Sequence, residues 1–169
     1  MFKRFRPSRA RHRMVLGSCI GLLSATAFAE VPDSADGPSW QLFASPYTMH
    51  WSHDDDHKPV FALGIERIDQ DRSLWGASAF RNSFGQASAY VYYGRQWDHF
   101  LGQPALYAKI SGGLMYGYRG KFRNKVPLNV GGVSPAIVPA IGYRVTPQSA
   151  VQLNVLGTAA LMFSYNRNF

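Results

Sequence analysis

The sequence predicts an all-β protein, an eight-stranded antiparallel transmembrane up-and-down β-barrel. Three observations carry that prediction. The N-terminus reads as an export signal. The rest of the chain holds no apolar run long enough for a spanning helix. About eight segments show strand-type alternation, separated by polar turns.

Lys3, Arg4, Arg6, Arg9, Arg11 and Arg13 form a basic head without an acid. An apolar stretch over 14–28 follows and runs into Ala27-Phe28-Ala29, a small-x-small cleavage pattern. Residues 1–29 are therefore read as a cleaved signal peptide. Leu16-Gly17-Ser18-Cys19 resembles a lipoprotein processing site. The apolar run continues past Cys19, however, whereas it should precede the cleavage point.

The whole chain has a formal net charge of +8, from 18 basic and 10 acidic residues. Six of the basic residues precede Glu30, which leaves 12 against 10, a net of +2. The basicity thus belongs mostly to the signal and gives no reason to expect nucleic acid as a partner. The single cysteine, Cys19, lies in the same segment, so the mature chain offers no disulfide or thiol chemistry. Abundant aromatic residues, no cysteine and no helical span together favour a closed sheet, which satisfies every backbone group inside a bilayer.

Residues 30–41, with Pro32, Gly37 and Pro38, read as a short periplasmic N-terminal segment, and 42–169 as an outer-membrane barrel domain. Strands are expected at 42–51, 60–68, 74–81, 87–97, 105–118, 133–144, 150–156 and 158–168. An even number suits a single-chain outer-membrane barrel. Short polar connections at 69–72, 98–104 and 146–148 alternate with those at 52–58, 82–86 and 119–129. With the N-terminus in the periplasm, the second set faces outward. Gly157-Thr158 makes an unusually tight outer turn.

In the last segment Leu161, Phe163 and Tyr165 alternate with Met162, Ser164 and Asn166, and Phe169 closes the chain. This resembles the C-terminal assembly signal of outer-membrane barrels, with Arg167 where an apolar residue is usual. Pro135 and Pro139 fall inside an apolar segment. Proline cannot donate to a ladder, so either the barrel wall is locally open there or the strand begins only after Pro139. Lys109 interrupts the fifth segment and is expected to face the lumen.

No phosphate-cradling glycine loop, cysteine-based metal spacing or nucleophile elbow is present. The run His50-Trp51-Ser52-His53-Asp54-Asp55-Asp56-His57 gathers metal-ligand residue types. Three adjacent aspartates cannot all converge on one ion, so a hydrated outer loop is the favoured reading and no metal site is expected. A second constellation is non-local. His50 ends the first strand and Asn82-Ser83 ends the third, which puts both at the outer end. A serine hydroxyl becomes a competent nucleophile when a base removes its proton, and histidine is the usual base.

The stretch 78–86, SAFRNSFGQ, continuing to Tyr90-Val91-Tyr92-Tyr93-Gly94, resembles the lipid A palmitoyltransferase family (PagP). Tyr47-Thr48-Met49-His50, Val126-Pro127-Leu128 and the proline-containing strand to Gly142-Tyr143 are similar in the same order. The resemblance implies an eight-stranded outer-membrane barrel. Such a barrel moves a palmitoyl chain from a phospholipid donor to lipid A without a cofactor, and is expected to be a monomer. It implies that His50 is the catalytic histidine and Ser83 the catalytic serine. Asn82, where the family usually has Asp, would orient His50 or hold the substrate carbonyl. Tyr92 and Gly94 are implied substrate contacts, with Gly94 at the floor of the acyl pocket. The basic loop 119–125 could meet lipid A phosphates through Lys121 and Arg123. The donor chain is expected to pass beside the proline-weakened strand. Two rival readings are a non-enzymatic barrel that binds lipid and a lipid A deacylase, the latter suggested by the His50-Trp51-Ser52 spacing.

Overall fold

Side-chain alternation along eight strands decides the architecture. A computed structural model describes residues 37–51 and 58–169. The strands are β1 (Ser39–His50), β2 (Ala62–Ile68), β3 (Ser73–Arg81), β4 (Ala87–Asp98), β5 (Leu106–Tyr116), β6 (Val133–Thr146), β7 (Ser149–Leu156) and β8 (Ala160–Asn168). Each pairs antiparallel with its chain neighbour, and β8 pairs with β1 to close the barrel. The expected strand order is thus observed, with small shifts at the ends. β1 begins at Ser39, so 39–41 belong to the wall and not to an N-terminal segment. Trp51 lies beyond β1, and Tyr118 beyond β5. The expected signal peptide and most of the His/Asp loop fall outside the described residues.

The faces are inverted relative to a water-soluble barrel. Leu42, Leu63, Ile65, Val91, Leu114, Ile137 and Val151 are exposed on the outer wall, Leu63 at 67%. Trp75, Trp97, Tyr143 and Tyr165 ring one end, and Tyr47, Phe61 and Tyr116 the other. A continuous apolar band between aromatic girdles is the surface of a barrel that sits in hydrocarbon.

The inward positions are largely polar. Gln41 Oε1 accepts from Asn166 Nδ2 at 2.7 Å and from Lys109 Nζ at 3.3 Å. Tyr107 Oη and Gln152 Nε2 donate to Gln152 Oε1 at 3.0 Å and Asn154 Oδ1 at 2.6 Å, respectively. Ser164 Oγ donates to Asn166 Oδ1 at 2.9 Å. Lys109 faces inward, as expected, and forms an ion pair with Glu66 of β2. A further cluster lies toward the end where the chain enters, with Asp98 ion-paired to Arg144 and, at 2.8 Å, to Arg72. Buried polar groups are costly unless satisfied, and this network satisfies them by linking strands across the lumen.

Glycines make this filling possible. A Cβ at Gly142 would run into the Tyr107 ring, and one at Gly76 would meet Tyr92 Oη and Glu66 Cβ, each at 2.7 Å. The lower half of the lumen is therefore a packed polar plug, and the open space lies above it.

Candidate active site at the barrel mouth

A cavity of about 680 Å³ occupies the upper half of the barrel. That size lies within the roughly 300–1,000 Å³ range of small-ligand sites. Its walls are mainly apolar, including Phe43, Phe80, Met115, Val138 and Met162, and its floor is formed by Glu66, Lys109 and Tyr92.

The cavity reaches the lipid-facing surface through the wall. β6 pairs with β7 only from Ala140↔Asn154 downward, so residues 133–139 have no β7 partner. Pro135 and Ile137 are exposed on the outer face, yet both line the cavity. Strand geometry explains the opening. Arg144 N donates to Ala105 O at 2.8 Å, on the β5 side. The alternate set of β6 residues, which includes Pro135 and Pro139, therefore turns its nitrogens toward β7, where proline has nothing to donate. β6 starts at Val133, so the alternative of a strand beginning after Pro139 is overturned.

The β1–β2 ladder also stops early, at Ser45↔Ala62. A register shift between Ala44 and Tyr47 follows, at Ser45-Pro46, and the upper part of β1 pairs with β8 alone among the described residues. His50 ends this stretch opposite Ala160 and lines the cavity. Ser83 lies just beyond β3, separated from β1 by β2, and lines the same cavity at the same end of the barrel. The topology thus brings the two distant residues to one mouth.

The Ser83 turn is tightly built. Asn82, 1% exposed, accepts from the backbone nitrogens of Phe84 and Gln86 through Oδ1, both at 3.0 Å. This is a side-chain mimic of a turn, a role suited to Asn or Asp. Lys58 N donates to Ser83 O at 2.7 Å. The side chain of Gln86 bonds both backbone groups of Arg119, accepting from N at 2.8 Å and donating to O at 3.1 Å. Burial pushes the Tyr118 phenol above its ordinary pKa, an effect the Ser83 hydroxyl partly offsets. Phe84 stacks on Phe122 at 4.3 Å and meets Tyr118 edge-on at 6.1 Å.

This arrangement changes three expected roles. The acceptor oxygen of Asn82 is already engaged by two amides of its own turn. Its Nδ2 is buried with no hydrogen-bond partner, and a Cβ on Gly117 would lie 3.6 Å from it. Asn82 lines the cavity and shapes the Ser83 turn through Oδ1, which leaves its Nδ2 as the group free for an orienting or substrate contact. Gly94 does not line the cavity, which ends one layer higher. A Cβ on Gly94 would run into the Ile110 carbonyl, so this glycine permits close approach of β4 and β5. Lys121 and Arg123 sit exposed on a short 3-10 helix, Gly120–Lys125, outside the cavity lining; the lining includes Lys125, Val126 and Pro127 instead.

Tyr92 does line the cavity, as expected, and donates to Glu66 at 3.0 Å. Glu66 and Tyr118 were not among the expected site residues. Glu66 had a readable signal, an acid inside an alternating strand with Lys109 as its opposite charge. Tyr118 had none, because it follows Gly117 in an aperiodic loop. No group of three or more metal-ligating side chains occurs among the described residues.

The fold and the apolar girdle define a membrane-spanning β-barrel with a cavity at one end. No family model matches the chain, and no curated protein matches it. Among solved structures, the chain is similar to one from "De novo design of transmembrane beta-barrels", with 12% identity, 78% of this chain and 95% of that chain covered, and a TM-score of 0.55. That likeness concerns the fold.

Proposed function

We propose that this chain is an outer-membrane acyltransferase that moves a palmitoyl chain from a phospholipid to lipid A, with Ser83 and His50 at the reacting end. The observation that carries the reading is that both residues line one apolar cavity that also opens sideways beside Pro135. A membrane lipid can slide an acyl chain through such a gap without leaving the bilayer. The mainly apolar walls suit a saturated chain, and the reacting ester then rests near the mouth.

The reaction follows from the two side chains. His50 takes the Ser83 proton while Ser83 Oγ bonds to the donor ester carbonyl carbon. The ester C–O bond breaks, and the leaving lysophospholipid oxygen receives the proton from His50. A lipid A hydroxyl then attacks the acyl-serine carbonyl and gives its proton to His50, the acyl–Oγ bond breaks, and His50 returns that proton to Ser83 Oγ as the palmitate ester of lipid A forms. The exposed cations Lys121 and Arg123 stand beside the mouth, where they would meet the acceptor's phosphates.

Expression in a strain lacking this activity tests the reading. Lipid A should gain one palmitoyl mass with the wild type and none with Ser83→Ala or His50→Ala; unchanged lipid A with the wild type sinks it. A second reading, a barrel that holds lipid without reacting, is favoured by Asn82 standing where the resembled family has Asp. It predicts a bound acyl chain and unaltered lipid A. Loss of an acyl chain would indicate a deacylase.

A further inference from the structure

We infer that Arg167, Tyr165 and Ser149 form a binding site for the phosphate of a membrane phospholipid, on the outer wall at the end of the barrel away from the cavity mouth. The site does not depend on any reaction at the mouth. It gives a reason for Arg167, a cation on the otherwise apolar face of the closing strand.

Strand register assembles the three side chains. Arg167 of β8 lies opposite Ser149 of β7, and Tyr165 lies opposite Val151. On the other flank, Arg167 faces Leu42 of β1 and Tyr165 faces Ala44. Arg167 and Tyr165 are two residues apart, so both share the outward face with the exposed Phe163. Arg167 Nη1 donates to Ser149 Oγ at 3.2 Å, and Ser149 Oγ shares a hydrogen bond of 2.8 Å with Tyr165 Oη. Main-chain bonds continue on both sides beyond the arginine, from Asn168 N to Gln148 O at 2.8 Å and from Phe169 N to Trp40 O at 2.9 Å. The platform is therefore held by its strands before any ligand arrives.

The electrostatics favour an anion. The cross-strand neighbours of Arg167 and Tyr165 are all neutral. Arg67, Arg72 and Arg144, at the same end, each pair with an aspartate, whereas no carboxylate pairs with Arg167 among the described residues. The guanidinium has donors beyond the one given to Ser149. The two hydroxyls use one hydrogen between them, which leaves the other to donate outward. An oxygen anion resting on this group thus meets a cation and a hydroxyl together, the charge-assisted pairing that arginine forms with phosphate.

Depth selects the carrier of that phosphate. Tyr165 belongs to the aromatic girdle, and girdles lie at the level of lipid headgroups. Arg167 lies further along β8, away from the apolar band. On the opposite side of Tyr165 the exposed Phe163 and Val151 offer apolar wall for acyl chains. A phospholipid satisfies both parts of the surface at once, and a free phosphate ion satisfies only one.

Native mass spectrometry of the full barrel in detergent micelles tests the site, with dioleoyl phosphatidylglycerol, dioleoylglycerol and inorganic phosphate as probes. The wild type should retain the phosphatidylglycerol and release the dioleoylglycerol. Arg167→Gln should lower that occupancy by about tenfold, the scale of one lost charge-assisted hydrogen bond. Arg95→Gln removes an exposed arginine on the outward face of β4 and should bind like the wild type. Equal retention by the wild type and Arg167→Gln overturns the inference. So does an equal loss with Arg95→Gln, which would make the effect one of overall charge. Equal retention of dioleoylglycerol would show that no phosphate is recognised. Displacement by inorganic phosphate at the lipid's own concentration would make the ligand a free anion. Heat-dependent gel migration establishes that each variant is closed. If Arg167→Gln does not close, the double variant Ser149→Ala/Tyr165→Phe keeps the arginine and carries the test, and undiminished binding there overturns the site.

Discussion

Glu66 of β2 and Lys109 of β5 form an ion pair across the barrel interior, with both side chains 4% exposed. Gln41 and Tyr92 complete the group, and together they form the boundary between the plugged lower lumen and the cavity. A buried pair contributes little over an apolar replacement, but breaking it strands a charge. Lys109→Met alone should destabilise the barrel by roughly 3–5 kcal/mol. Lys109→Met combined with Glu66→Leu should recover most of that loss. Urea unfolding in detergent micelles, followed by tryptophan fluorescence, measures both. A double variant as unstable as the single one would show that the charges do more than neutralise each other.

Asn82 sets up a second comparison. Asn82→Ala removes the acceptor for two turn amides and should cost about 1–3 kcal/mol, with loss of Ser83 reactivity. Asn82→Asp keeps both bonds and removes the buried orphan donor Nδ2, so it should preserve the turn and at least the wild-type reaction rate. Labelling of Ser83 across the three proteins checks this order.

Gly94→Ala separates packing from substrate length. The added methyl meets the Ile110 carbonyl, so the expected effect is a lower thermal midpoint with no change in the acyl length transferred. A shortened acyl product at unaltered stability would restore Gly94 to the pocket floor.

Hydrogen exchange reads the gap in the wall. Val138 directs its amide toward β5, whereas Ile137 directs its amide toward the unpaired side. Ile137 should exchange much faster than Val138, by about tenfold or more. Equal protection at the two positions would mean that β6 and β7 are zipped along their full length.

Most of the barrel was legible because alternation over nine or more residues is a local signal. β8 shows it plainly, with Leu161, Phe163 and Tyr165 on one face. Ser83 and His50 could be placed at one end from strand direction alone. The register was not legible. That β1 loses β2 after Ser45 depends on a shift at Ser45-Pro46 and on residues far along the chain. The role of Gly94 was misplaced because a glycine that spares a neighbouring backbone and one that leaves room for a ligand look the same in one dimension. The spent acceptor of Asn82 likewise appears only once its turn is closed.

The two interrupted ladders have a mechanical consequence. Toward the mouth the cylinder is split into a wide panel, β2 to β6, and a narrow one, β7, β8 and upper β1, joined to each other by continuous pairing only lower down. Among the described residues, spreading the panels at the top breaks no main-chain ladder. Prying them apart at the base would have to unzip strands. Compliance is thus greatest at the rim, while the cross-linked polar plug below resists the same opening.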